Sequence, residues 1–138
     1  MVKILTGLWI LLCVVVVADG YVRLAPSDPK VWHKPLKFNE NKELAGGVER
    51  VIEGSPADLA RLDSIIRQTP RTQVLAGSVD GAHLTYVTRS AVFGFPDYTT
   101  VELTDGQIRI FGRLRFGRSD LGVNRKRVDG WLDALQTR

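Results

Sequence analysis

Cysteine is nearly missing from this 138-residue chain. The single one, Cys13, sits in an apolar N-terminal run, so the remainder has no disulfide, no thiol nucleophile and no cysteine metal site. Histidine is scarce as well: His33 and His83 are the only two and are isolated from one another in sequence. There is no Gly-x-Ser-x-Gly, no His-Glu-x-x-His and no glycine-rich loop of the phosphate-cradling kind. These absences leave no motif for a nucleophile, a metal or a cofactor, and none of the three is expected. The shortage of cysteine does not exclude an oxidising compartment, because exported proteins need not use disulfides.

What is present is ordinary in amount and uneven in placement. Hydrophobic residues make up 44% and charged residues 25%, which are globular values. With the apolar N-terminus set aside, about 115 residues remain, which suits one domain. The net charge is +4. Residues 107–138 carry eight Arg or Lys against three Asp or Glu, so the last quarter holds the whole excess. A focused positive field favours an anionic partner; the alternative is a solvated face with internal ion pairs.

The N-terminus begins with Lys3 and an uncharged run over 4–18. As a helix that run covers about 22 Å, short of a hydrocarbon core of about 30 Å. It reads either as a signal peptide, with Val16-Val17-Ala18 as the cleavage site, or as a retained anchor extending to Val22, with Tyr21 at the interface and Arg23 beyond it. The anchor reading is preferred. Membrane contact is then expected through residues 4–22, and either reading exports the rest. Cys13 lies mid-run without small residues before it, against a lipidation site.

Three regions follow from this pattern: an anchor or signal over 1–22, a proline-rich extended arm over 23–47, and an α+β domain over 48–138. Pro26, Pro29 and Pro35 forbid a regular helix in the arm, and Trp32 and Phe38 are placed to pin it to the domain. His33 reads as a packing or surface residue. "GSPADLARLDSIIRQTP" is a helix with Ser55 as N-cap, Pro56 at its first position and an apolar stripe of Leu59, Leu62, Ile65 and Ile66. Two hairpins follow, around Asp80-Gly81 and Asp105-Gly106. A two-residue turn in the second sets Leu103 opposite Ile108, Val101 opposite Ile110, Glu102 opposite Arg109, Thr100 opposite Phe111 and Tyr98 opposite Arg113. Ile108, Ile110, Leu114 and Phe116 then share the apolar face; Arg109, Arg113 and Arg115 share the polar one. A last helix is expected over about 121–135, capped by Ser119 or Asp120, with Val128, Trp131, Leu132 and Leu135 inward. The expected fold is therefore two-layer α+β: a four-stranded antiparallel sheet of two hairpins flanked by two helices, preceded by an apolar helix.

The stretch "RLRFGRSDLGVNRKRVDGW" concentrates arginine where the last strand hands over to the last helix. Arg125, Lys126 and Arg127 crowd a helix start that already carries partial positive charge. Arg113, Arg115 and Arg118 arrive from the strand, and Arg89 from the neighbouring hairpin. Two readings fit: internal pairing with Asp97, Asp120 and Asp129, or a bound anion held by arginine's planar fork. Candidate anion-binding residues are Arg89, Arg113, Arg115, Arg118, Asn124 and Arg125, with Asp97, Ser119 and Asp120 as polar or structural partners. In "SAVFGFPDYT", Phe93 and Phe95 form either buried plugs or an exposed apolar tip.

"FGFPDYTTVEL" followed by "RLRFGRSDLGVNRKRVDGWL", with "APSDPKVWH" upstream, resembles the bacterial domain of unknown function 1499 family. The likeness covers nearly everything after the apolar run. It implies a small α+β domain, commonly membrane-associated, with relatives in photosynthetic lineages. The matching positions are Phe95, Asp97, Arg113, Arg115, Gly117, Ser119, Asp120, Gly122, Asn124 and Arg125; the resemblance assigns them no roles.

The expected function is that of a non-catalytic envelope domain binding an anionic small molecule, a lipid headgroup or an envelope protein. Its expected place is the bacterial inner membrane with the C-terminal domain in the periplasm, or the periplasm alone if the leader is cleaved. Nucleic acid is not expected as a partner of an exported domain. Two alternatives remain: a hydrolase-like enzyme using Asp97 and Asp120 with arginines, and a purely structural accessory protein.

Overall fold

A computed structural model of the chain describes residues 1–137. The elements in chain order are α1 (Val2–Leu24), the one-turn helix α2 (Pro29–Trp32), β1 (Lys42–Leu44), β2 (Gly47–Glu53), α3 (Pro56–Arg67), β3 (Thr72–Ser78), β4 (His83–Arg89), β5 (Pro96–Thr104), β6 (Gln107–Leu114) and α4 (Val123–Gln136). The α+β class holds, but the sheet has six strands in the order β1-β2-β6-β5-β4-β3, all neighbours antiparallel, rather than four. The helices number four, not an apolar helix plus two.

The two additional strands come from "NKELAGGVERVIEG", part of which was assigned to the arm. β2 was hidden by Arg50, which interrupts the apolar alternation of Val48 and Ile52. Arg50 points toward the helix layer and makes a two-pronged bond to Asp129 of α4, at 2.7 and 3.0 Å. Gly47 lets β2 close on β6, since a Cβ there would collide with the Gly112 carbonyl.

The second hairpin has all five expected pairs. Asp105 (φ 54°) and Gly106 (φ 75°) supply the positive φ angles that its turn requires. The first hairpin differs. Its connection spans 79–82, Ala82 rather than Asp80-Gly81 carries the positive φ, and β3 is bulged between Val74 and Ala76.

Helix α3 starts in a capping box: the Ser55 hydroxyl accepts from the Asp58 N–H while the Asp58 carboxylate accepts from the Ser55 N–H. Leu59, Leu62 and Ile66 of α3 meet Val128, Trp131, Leu132 and Leu135 of α4 over Val48, Leu84, Tyr86, Val101, Ile108 and Ile110 of the sheet. Helix α4 starts two residues later than expected, with Gly122 (φ 79°) as N-cap. Neither Ser119 nor Asp120 is the cap residue, yet the Asp120 carboxylate still accepts from the Gly122 and Asn124 N–H groups.

The opposite face of the sheet is not left to water. Residues 25–39 run across it: Trp32 stacks on Tyr98 with ring centroids 3.9 Å apart, and Phe38 meets Phe111 edge-on at 6.3 Å. Tyr98, Thr85 and Thr100 are consequently fully buried. The arm thus forms a third layer, and it contains α2, where a regular helix was not expected. Pro29 stands at the first turn of α2, where its missing N–H is tolerated, and Asp28 caps that turn.

Helix α1 has 23 residues and a mean hydropathy of 2.2 in its most apolar window, none of which is buried. Its length is about 34 Å, so it is long and apolar enough to cross a membrane. Near its end Asp19 and Arg23, one turn apart, pair at 2.8 Å.

Candidate functional site

Alternation along β6 sends Arg109 and Arg113 to the arm side of the sheet, and Arg115, just past its end, reaches the arm as well. There they bind backbone carbonyls rather than carboxylates. Arg113 donates to the Trp32 carbonyl (2.6 Å), the Phe111 carbonyl (3.1 Å) and the Thr100 hydroxyl (3.1 Å). Its guanidinium carbon stands 4.6 Å from the Phe111 ring centre and 5.5 Å from that of Trp32. Burial pushes its pKa down to about 10, which leaves it a cation at neutral pH. Arg115 donates to the Pro26 carbonyl (2.9 Å) and the Tyr98 hydroxyl (3.0 Å), which also bonds Ser27 Oγ at 2.7 Å. Arg109 donates to the Phe38 carbonyl at 2.7 Å, and Glu102 accepts from the Leu36 N–H at 2.8 Å. Together these groups fasten the arm along its length.

Under the same arm the two histidines meet. His33 and His83 stack with ring centroids 3.9 Å apart. His33 Nδ1 lies 2.9 Å from Thr85 Oγ1, which is 3.0 Å from Thr100 Oγ1. Glu102 approaches His83 Nε2 only to 4.0 Å. Burial lowers the His33 pKa, the His83 ring lowers it further, and Glu102 partly opposes both. The sign follows: below the unfolded value of about 6.5, the unfolded chain binds the proton that folded His33 resists. Stability should be full above that value and fall as pH drops toward the folded pKa. Urea midpoints between pH 8 and 5 should show this decline, and His33→Phe should flatten it. An unchanged slope in the variant would move the effect to another group.

The strand-to-helix corner is a separate cluster on the helix side. Asp97 pairs with Arg127 at 3.2 Å, both side chains mostly buried. Arg127 also donates to Asn124 Oδ1 at 2.9 Å, and Asn124 Nδ2 donates to Asp120 at 2.8 Å. Asn124 is fully buried, against Gly112. Burial raises the Asp97 pKa against the pull of Arg127. Burial also opposes ionisation of Asp120, but hydrogen bonds from Asn124 and the Gly122 N–H outweigh it and the pKa is lowered. Both carboxylates of the candidate pair are therefore occupied. Arg125 reaches across to Glu43 of β1 at 2.8 Å, Ser119 Oγ accepts from the Leu121 N–H, and Arg118 is exposed.

The candidate residues thus divide into groups rather than one corner. Arg113 and Arg115 lie under the arm. Asp97, Asp120 and Asn124 form the helix-side cluster, with Arg125 at its edge. Arg89 lies elsewhere, beside Arg71 and Arg23 in a cleft of about 310 Å³, and donates to the Gly94 carbonyl at 3.0 Å. Phe93 and Phe95 are 54% and 41% exposed, so they form a tip rather than plugs. The expectation that Trp32 pins the arm is met, but sequence reasoning missed the meeting of His33 with His83 and of Arg23 and Arg71 with Arg89, because residues distant in sequence gave no local signal of it. Among the described residues no group of His, Cys, Asp and Glu could hold a metal ion. The family model described as "Protein of unknown function (DUF1499)" matches residues 13–135. No curated protein matches the chain.

Proposed function

The chain belongs to the DUF1499 family, and from that premise we propose that it is a membrane-tethered, non-catalytic domain that binds an anionic ligand or partner through its arginines. One observation carries this reading. Arg71, Arg89, Arg113 and Arg115 donate to backbone carbonyls and make no ion pair with a described carboxylate, and they belong to the same chain as an unburied apolar helix. Cations fixed by carbonyls keep their charge, and a folded domain gains from an outside anion to balance them. The proposed location is the inner membrane of a bacterium, with the domain in the periplasm.

A purely structural role is the second reading, favoured by Arg127 on Asp97 and Arg50 on Asp129. Both can be tested on the full chain. Carbonate-washed membranes should retain it with an intact mass that includes Met1, and a C-terminal reporter should be active on the periplasmic side. Freshly purified in detergent, it should show a discrete mass beyond that of the denatured chain. A mature chain that begins after Ala18 would remove the tether, and a bare mass would favour the structural role.

A further inference from the structure

The cleft beside the end of α1 has features that the other arginine groups lack. Its lining includes Arg23, Arg71, Arg89, Gln73 and Ser90, and no carboxylate. Each guanidinium is aimed by a backbone carbonyl. Arg71 Nε donates to the Arg89 carbonyl at 3.1 Å, Arg89 Nη1 to the Gly94 carbonyl at 3.0 Å, and Arg23 Nη2 to the Val92 carbonyl at 2.6 Å. An arginine has five N–H donors, so most of those on Arg71 and Arg89 remain for a ligand. Arg71 also sits at φ 59°, a left-handed conformation uncommon outside glycine, held by the Arg89 N–H donating to its carbonyl at 3.0 Å.

The surroundings identify the ligand. Arg23 belongs to the last turn of α1, the helix long enough to cross a membrane. From Tyr21, two residues earlier, a chain of ring contacts runs to Phe116 (6.2 Å), then Phe95 (6.4 Å), then Phe93 (5.7 Å). Beside the cleft, Val92 is 70% exposed, and Leu24 on α1 is 84% exposed. Aromatic rings and arginines at the end of a spanning helix occupy the headgroup layer of a bilayer. Arg23 is already paired with Asp19 at 2.8 Å, but Arg71 and Arg89 have no carboxylate partner, and an apolar tip beside such a cleft suits a surface lying on that layer.

We propose that this face rests on the membrane, with Val92 and Phe93 among the headgroups, and that Arg23, Arg71 and Arg89 hold the phosphate of an anionic phospholipid. The inference rests on the tethered reading above and names its ligand. The cleft accommodates a phosphodiester and its headgroup alcohol, while the acyl chains stay alongside α1.

The test is native mass spectrometry of the full chain in detergent, titrated separately with phosphatidylglycerol, phosphatidylcholine and inorganic phosphate. One phosphatidylglycerol per chain should be retained in preference to the other two. Arg71→Asn, which tolerates the left-handed turn, and Arg89→Gln should each weaken retention about fivefold, the scale of one arginine at an anionic surface. Phe93→Ser, at an exposed ring that the fold does not need, should weaken it as well, and Arg118→Gln should not. Circular dichroism establishes that each variant is folded. Equal retention of inorganic phosphate would assign the cleft to a soluble anion and overturn the lipid. Loss with Arg118→Gln alone would overturn the cleft and return the ligand to the strand-to-helix corner, leaving the tethered reading intact. Failure to retain any of the three probes would overturn both.

Discussion

Arg113→Ala should lower the thermal unfolding midpoint by about 10 °C or more and open the arm to trypsin at Lys30 and Lys37. Arg113 fastens the arm to the sheet by a hydrogen bond and by ring contacts. It supplies the Trp32 carbonyl with a donor at 2.6 Å and lies between the Trp32 and Phe111 rings. Removing it takes this donor from the Phe111 carbonyl and the Thr100 hydroxyl and leaves the Trp32 carbonyl with the longer bond from Thr100 Oγ1 at 3.4 Å, in a part-buried site. A buried polar group left unpaired costs about 1–3 kcal/mol, and the lost ring contacts add to it. A cost of about 3 kcal/mol corresponds to a shift of roughly 10 °C in a domain of this size. Arg113→Lys should recover only part of the loss, because an ammonium lacks the planar fork that spans two acceptors while stacking on a ring. The competing view makes Arg113 a ligand residue. It would be supported by an unchanged midpoint, protected Lys30 and Lys37, and loss of a bound anion.

That contest shows where the sequence was legible and where it was not. The β5–β6 hairpin could be registered residue by residue, because its Asp-Gly turn and its alternation agree. Helix α3 was equally clear, since cap, proline and apolar stripe point the same way. β2 was not, because Arg50 occupies an inward position and its two-pronged partner, Asp129, lies 79 residues away. The arm had its pinning residues marked in Trp32 and Phe38. Its effect on the polar face was invisible, because carbonyl acceptors carry no side-chain signature. The arginine-rich stretch looked like one site for the same reason. Alternation sends Arg113 to one side of the sheet, and the helix period sends Arg127 to the other. Sequence proximity there records only the passage of the chain from strand to helix.

The cluster on the helix side supports the second large expected effect. Asn124→Asp changes the shape of the side chain hardly at all but replaces its amide donor with a carboxylate oxygen. Asn124 Nδ2 now donates to Asp120 at 2.8 Å in a fully buried site, with Asp97 near enough to feel the Asp120 charge. At neutral pH the substitution would bring three carboxylates around Arg127, whose single charge cannot balance them. The cost should be about 3–5 kcal/mol, as for an uncompensated buried charge. The new carboxyl would have a folded pKa raised above its unfolded value, so the penalty applies above the folded pKa and is relieved as pH falls through it. In the parent chain Asp120 runs the other way. Its lowered pKa gives stability that is present above the unfolded value of 3.8 and lost as pH falls through the folded pKa. Asp97, with its raised pKa, gains on acidification in the parent as well, so urea midpoints should rise more steeply on acidification in Asn124→Asp than in the parent. Asn124→Ala separates charge from lost bonding: it should destabilise by about 2 kcal/mol and lack the extra recovery in acid that the new carboxyl gives. Recovery beyond the parent's in both variants, or in neither, would mean that Asn124 does not bridge Asp120 and Arg127 in the way the geometry requires.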